Sequence, residues 1–151
     1  MEKADGPIRL LHLDALYNEA MVLAEAAHAY IMASPPVGAR EPLRQLIDSC
    51  ETTRLVSRVG FCLAWLLARR AVQSGEMPAS EALDGSWRLG GRDICLEELP
   101  VTAALTPPLA RLLERSASLY RRIDRLDRQL DGSPTVVSTR VQPRQKSLPG
   151  S

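Results

Sequence analysis

Two histidines, His12 and His28, are the side chains best suited to bind a metal ion or to transfer a proton near neutral pH. Both lie on or near one predicted helix, about four turns apart. They cannot share a metal ion unless a second subunit contributes a ligand. We therefore expect two solvated histidines. An enzyme that uses His12, His28 or a cysteine is the alternative.

The cysteines Cys50, Cys62 and Cys95 are odd in number and widely spaced. No two of them have the two-residue gap of a redox or metal-binding motif. Since cysteine is among the residues most often buried, we expect buried thiols. The sequence predicts no metal site and no cofactor.

Three carboxylates, Asp93, Glu97 and Glu98, lie in the segment between the second and third predicted helices. Paired carboxylates can do acid–base chemistry when a substrate lies beside them, but no nucleophile is near in the sequence. Gly90-Gly91 is not a phosphate loop, because no Lys-Ser/Thr follows it. We expect an acidic surface loop, no catalytic residue and a protein that is not an enzyme.

The composition is typical of a single folded domain with almost no overall charge. The chain has 151 residues, of which 45% are hydrophobic and 25% charged, and its formal net charge is +1. No global field would attract nucleic acid or an anionic membrane. The N-terminus has neither the basic segment nor the apolar run of a signal peptide, so the expected location is the cytoplasm.

Three long helices are predicted to position these residues. Apolar residues recur at three- and four-residue steps in residues 10–33, and Pro35-Pro36 should end this first helix. The second should run from near Pro42 to Gly75, and the third from Thr106 to Gly132.

The middle of the second helix, residues 59–68, has no charged residue and is almost entirely apolar. A helix that is apolar all round must be covered on all sides. The segment is too short to span a bilayer, which needs about 20 residues. We predict an all-α protein in which residues 1–132 form an up-down-up three-helix bundle around this helix.

About 30 residues connect the second and third helices, which is too many for a structureless loop. Residues 78–83 are predicted to form a short helix. The glycine pair at positions 90 and 91 and its alternating apolar neighbours predict a β-hairpin, with an extended strap as the alternative. The hairpin would pack on the bundle through Trp87, Leu89, Ile94 and Leu96.

Charge differs between the helices. The first contains three acidic residues and no basic one, whereas the third contains six arginines. In an up-down-up bundle these two helices run side by side in the same direction, and their charges would specify the pairing. The arginines form either a solvated face or a docking surface for an acidic protein partner. The candidate contacts are Arg115, Arg121, Arg122, Arg125 and Arg128.

Residues 133–151 have no apolar periodicity, three prolines, three basic residues and no acidic residue. Such a segment cannot bury enough surface to offset its ordering entropy, and we expect a disordered basic tail. It either binds a partner through scattered anchors or is inert. The candidate contacts in the tail are Val136, Val137, Arg140, Val141 and Arg144.

Several runs resemble a known family: residues 51–58 (ETTRLVSR), 64–72 (AWLLARRAV), 75–77 (GEM), 88–90 (RLG) and 126–128 (LDR). They resemble the regulator-of-CtrA-degradation family of alphaproteobacteria (RcdA-like, DUF1465). The resemblance covers most of residues 10–130 and is strongest in the second helix.

The resemblance implies a three-helix bundle that acts as an adaptor for the ClpXP protease. The expected partners are a ClpX-type unfoldase with its response-regulator primer and a cell-cycle transcription regulator as cargo. It implies no catalytic residue. Separately, the low net charge and the lack of a recognition-helix pattern predict no direct contact with nucleic acid or membrane. The alternative is a coiled-coil-type homodimeric scaffold without a proteolytic role, which would self-associate through Leu113 and Tyr120 on the third helix.

Overall fold

A computed structural model of the chain describes residues 10–36, 38–97 and 105–132. The helices in chain order are α1 (Leu10–Ala33), α2 (Pro42–Gln73), α3 (Ala79–Ala82), α4 (Arg92–Cys95) and α5 (Pro107–Gly132), with a 3₁₀ turn at Gly85–Trp87 before α4. No strand occurs in these ranges, so the predicted all-α class is confirmed. The predicted tail, residues 133–151, lies outside the described residues.

The ends of the long helices follow the local sequence signals. Pro42 is the first residue of α2, where its missing N–H costs no hydrogen bond. Gly75 follows the end of α2 with φ at +78°, a backbone conformation that glycine adopts without a steric penalty. The prolines at positions 35 and 36 follow α1 closely.

The three long helices surround one hydrophobic core. Its largest fully buried side chains include Trp65 and Leu66 of α2 and Tyr120 and Ile123 of α5. Leu113 and Tyr120 are both buried, so they cannot form the self-association surface predicted for them. Side chains at the predicted first-helix positions are also buried, among them Leu13, Leu16, Ala20, Leu23 and Ala27.

The prediction that α2 is covered on every side is wrong. Val56, Phe61 and Leu67 of α2 are exposed, and so is Gly60. The contacts of α2 are with α1, α5 and the segment of residues 74–97, which we call the connector. These neighbours leave one side of the helix open to solvent.

The up-down-up order is also corrected by the contacts. The hydroxyl of Tyr30, near the end of α1, donates to Asp48 Oδ1 at 3.0 Å and lies 3.2 Å from the Thr106 hydroxyl, just before α5. Glu19, in the first half of α1, pairs with Arg122 in the second half of α5. Thus α5 runs antiparallel to α1 and parallel to α2.

This direction follows from the path of the connector. The connector runs back along α2. Its residues Trp87, Gly91 and Cys95 lie beside Arg69, Phe61 and Arg58 of α2, in that order. The chain therefore reaches the beginning of α2 again before α5 starts. The connector is long because it must return along much of α2; a short turn could not do so.

The predicted β-hairpin is wrong, whereas the predicted short helix at residues 78–83 is confirmed as α3. The residues predicted to form the two strands form the 3₁₀ turn and α4. Of the four side chains predicted to pack on the bundle, only Leu89 is buried; Trp87, Ile94 and Leu96 are exposed. Gly91 has φ at +75° and is the N-cap residue of α4. The positive φ therefore occurs at the start of a helix and not in a hairpin turn. No helix within the described ranges is long and apolar enough to cross a membrane.

Candidate functional site

Arginines of α2 hold the connector by its backbone. Arg58 Nε donates to the carbonyl oxygen of Cys95 at 2.9 Å, and another of its nitrogens donates to that of Leu113 at 3.3 Å. Arg69 donates to the carbonyl oxygens of Ala82 and, at 2.9 Å, Trp87. Both guanidinium groups are buried, and this burial lowers the pKa of each arginine. These two residues are structural clamps.

Asp127 of α5 is the centre of a buried polar cluster. Its Oδ1 accepts hydrogen bonds from Trp65 Nε1 and Arg88 Nε, both at 2.8 Å, and from the backbone N–H of Leu89 at 3.3 Å. Its Oδ2 accepts a hydrogen bond from Arg92 at 2.6 Å. Burial alone would raise the pKa of Asp127, but the hydrogen bonds outweigh it and hold the pKa below its ordinary value.

The cluster extends to the surface through further ion pairs. Arg92 Nε lies 2.5 Å from Asp124 Oδ1, and Arg88 contacts Asp131 at 2.8 Å. All of the Asp127 oxygens are used by partners and the side chain is only 1% exposed, so it has no access to a substrate. The cluster therefore joins α2, the connector and α5 and shows no catalytic arrangement.

Sequence reasoning missed this role of Asp127, although a signal was present. Asp127 continues the spacing of Ser116, Tyr120 and Ile123, all buried in the structure. A carboxylate at a core position of a helix must be paired, and two arginines of the connector supply the charge. The runs at 88–90 and 126–128, both of which carried the family resemblance, thus meet in space.

The predicted arginines of α5 divide into two kinds. Arg122 pairs with Glu19, and Arg128 Nε lies 3.0 Å from Asp124 Oδ2. Arg115 and Arg125 are exposed and make no ion pair with the described residues, and the same holds for Arg111. Arg121 is exposed as well and makes an interaction of its own.

The helical spacing of these arginines places them along one exposed side of α5. We call Arg111, Arg115 and Arg125 the α5 basic face. The candidate contacts of the tail, Val136, Val137, Arg140, Val141 and Arg144, lie outside the described residues.

Beside this face, α1 and α5 form an open groove of about 370 Å³. Its lining includes His12, Glu19, Arg122 and Arg125. His12 and His28 are both exposed, as predicted. No group of three potential metal ligands comes together in the part of the chain that the structure describes.

The cysteines are only partly as predicted. Cys62 and Cys95 are buried, but Cys50 is exposed because it lies on the outer side of the first half of α2. Burial raises the pKa of the Cys62 thiol to about 12 and also raises that of Cys95. These two thiols are therefore protonated at neutral pH and unsuited to nucleophilic chemistry.

Comparisons with known proteins agree with the resemblance seen in the sequence. The chain matches the family described as "Protein of unknown function (DUF1465)" over residues 8–149. The crystal structure of RcdA from Caulobacter crescentus matches with a TM-score of 0.57 and 32% sequence identity, covering 78% of this chain and 89% of that one. No curated protein matches the sequence.

Proposed function

The chain belongs to the DUF1465 family, and we propose that it is a non-enzymatic adaptor that brings regulatory proteins to a ClpXP-type protease in the cytoplasm. The observation that carries the proposal is the match to RcdA over 78% of the chain at 32% identity. An identity of this size over most of a domain supports a related role in the regulated breakdown of CtrA-like proteins.

The described side chains also favour binding over catalysis. The carboxylate of Asp127 and the guanidinium groups of Arg58 and Arg69 bind other parts of the chain, and the two buried thiols have raised pKa values. Exposed arginines that make no ion pair with the described residues remain on the surface, in the α5 basic face. Arginines on a rigid helix can make bidentate contacts with the carboxylates of an acidic protein.

An adaptor needs at least two contacts, because it acts by holding its cargo beside the protease. Each contact can be weak on its own, since tethering converts the second binding event into an intramolecular one. We assign one contact, to an acidic partner, to the α5 basic face. The scaffold alternative has lost its proposed interface, because Leu113 and Tyr120 are buried.

Reconstituted proteolysis tests this function. A CtrA-like regulator of the source organism would be incubated with ClpXP and its primer proteins, with and without the chain. We expect faster degradation with the chain, and a loss of this stimulation in the double variant R115E/R125E. The matched control is R40E/R44E, which changes the charge equally at two exposed positions around the start of α2, where Arg40 makes a long contact of 3.9 Å with Asp48.

Circular dichroism would establish that each variant is folded. Stimulation that survives R115E/R125E would remove the α5 basic face from the mechanism. A folded wild-type chain that leaves the degradation rate unchanged would contradict the adaptor function itself.

A further inference from the structure

The connector turns large apolar side chains toward solvent. Leu83, Trp87, Ile94 and Leu96 are all exposed, and Trp87 is 39% exposed. They recur over the stretch that faces α2 between Arg54 and Arg69, a length of roughly 20 Å. The connector is held by the hydrogen bonds of Arg58 and Arg69 and by the ion pairs of Asp127. Most of its apolar side chains are therefore not needed for packing. Four large apolar side chains exposed on one short segment are a feature typical of interaction sites.

The same segment also carries exposed acidic residues. Glu81, Asp93 and Glu97 are exposed on the connector. The connector's two arginines, Arg88 and Arg92, bind the carboxylates of α5 and do not offset these charges toward solvent. We call the four apolar side chains and these three acidic ones the connector face. A segment that fits it must be basic and must carry a few apolar residues.

The chain's own last nineteen residues have this composition. Residues 133–151 contain Arg140, Arg144 and Lys146, no acidic residue, and the apolar residues Val136, Val137, Val141 and Leu148. They follow α5 immediately, and α5 ends beside the connector. Asp131 of the last turn contacts Arg88, the residue after Trp87, at 2.8 Å. Nineteen residues can extend about 60 Å, which exceeds the length of the connector face.

We propose that residues 133–151 bind the connector face of their own chain. Tethering favours this occupant over a free basic peptide, because a segment linked directly to the site has an effective concentration in the millimolar range. The bound tail covers the connector face and is itself withheld from partners, so each becomes available only when the other is displaced. The attraction depends on exposed charges and weakens as salt is added. This inference concerns the isolated chain and does not rest on the adaptor function.

Trp87 reports the proposed contact, because it is exposed and Trp65 is buried. Quenching of tryptophan fluorescence by acrylamide would be measured in the full-length chain and in the variant R140E/R144E/K146E. We expect stronger quenching in the variant. The difference should disappear when Trp87→Phe is added to both proteins, and it should shrink in high salt. The control R40E/R44E also makes the net charge more negative, but outside the tail, and should leave the quenching unchanged.

A second experiment reverses the charges of the connector and of the tail. The connector variant E81K/D93K/E97K should show the same increase in quenching, and combining it with R140E/R144E/K146E should restore the wild-type value. Restoration supports direct pairing of the tail with the connector face. Equal quenching of the wild-type chain and R140E/R144E/K146E would overturn the proposal. It would also be overturned if the combined variant were quenched as strongly as the tail variant or the connector variant alone.

A photoreactive residue at position 141 of the full-length chain identifies the occupant. Cross-links to residues 83–96 within a monomer support the proposal. Cross-links formed only between two chains, or only to the α5 basic face, overturn it, since the tail would then bind a second copy or a different surface.

Discussion

The indole nitrogen of Trp65 donates a hydrogen bond of 2.8 Å to Oδ1 of Asp127, and each of the two residues is 1% exposed. The bond joins α2 to α5 inside the core. The same carboxylate accepts hydrogen bonds from Arg88 and Arg92, so it also fixes the connector. One acidic residue thus determines how three segments of the chain are held together.

Removing this carboxylate should strongly destabilise the protein. Asp127→Ala leaves Trp65 Nε1 without its acceptor and deprives Arg88 and Arg92 of their shared counter-ion. Removing one partner of a buried ion pair leaves the other charge without compensation. We therefore expect the free energy of unfolding to fall by about 3 kcal/mol. Urea denaturation followed by circular dichroism measures the change. The control is Asp131→Ala, which removes an exposed contact of the same Arg88; equal effects of the two variants would contradict a central role for Asp127.

The same residue should make stability depend on pH in the acid range. The pKa of Asp127 is lower in the folded chain than its unfolded value of about 3.9, so the carboxylate stabilises the fold above that pH. This stabilisation is lost as the pH falls through the lower, folded-state pKa. We therefore expect the stability difference between wild type and Asp127→Asn to shrink with falling pH, as measured by urea midpoints. A constant difference would show that Asp127 contributes no such pH dependence.

Two adjacent arginines test the clamp on the connector. Arg69 is buried and donates to the carbonyl oxygens of Ala82 and Trp87, whereas Arg70 is more exposed and lies 4.3 Å from the centre of the Tyr17 ring. We expect Arg69→Met to cost about 2 kcal/mol, because buried carbonyl groups lose their charged donor. Hydrogen exchange should become faster in the connector. Arg70→Met should leave connector exchange close to wild type; faster exchange in both variants would contradict a specific clamp.

Alanine variants of two glycines should distinguish the cost of backbone strain from the cost of side-chain crowding. Gly91 and Gly75 both have positive φ, at +75° and +78°. A Cβ added at Gly91 would lie 2.4 Å from the Phe61 ring, whereas one at Gly75 meets nothing within 4 Å. Both alanine variants should lose about 1–2 kcal/mol from strain, and Gly91→Ala should lose more. Thermal unfolding measures this, and Phe61→Ala should reduce the extra loss; equal losses at the two glycines would contradict the close contact.

The thiols should react at very different rates. Cys50 is exposed, whereas Cys62 and Cys95 are buried with raised pKa values. Because the thiolate is the reactive form, a thiol reagent at pH 8 should modify one cysteine quickly and the other two only after unfolding. Cys50→Ser should abolish the fast phase. A second fast thiol in that variant would show that the core around Cys62 and Cys95 opens readily.

The long helices could be predicted because their signals are local. Capping residues and prolines indicate the start of α2 at Pro42 and the start of α5 after Thr106, and the prolines after α1 indicate its end at Ala33. The all-α class and the family resemblance also came from the sequence. Each of these depends on residues that are neighbours along the chain.

The connector could not be predicted in the same way. Its glycine pair and alternating apolar residues suggest a hairpin, but Phe61 occupies the space beside Gly90 and Gly91, and Arg58 and Arg69 bind the carbonyl groups that strand pairing would use. Tertiary hydrogen bonds therefore override a local turn signal.

Local sequence signals are enough to predict the three long helices, their ends and the buried sides of α1 and α5. The direction of α5, parallel to α2, and the burial of Arg58, Arg69 and Asp127 depend instead on contacts between distant segments. The physical reason is that a charged side chain looks the same in sequence whether its partner is water or a residue 62 positions away, as for Trp65 and Asp127. Burial and pairing are properties of contacts between distant segments, and the path of the connector sets which segments meet.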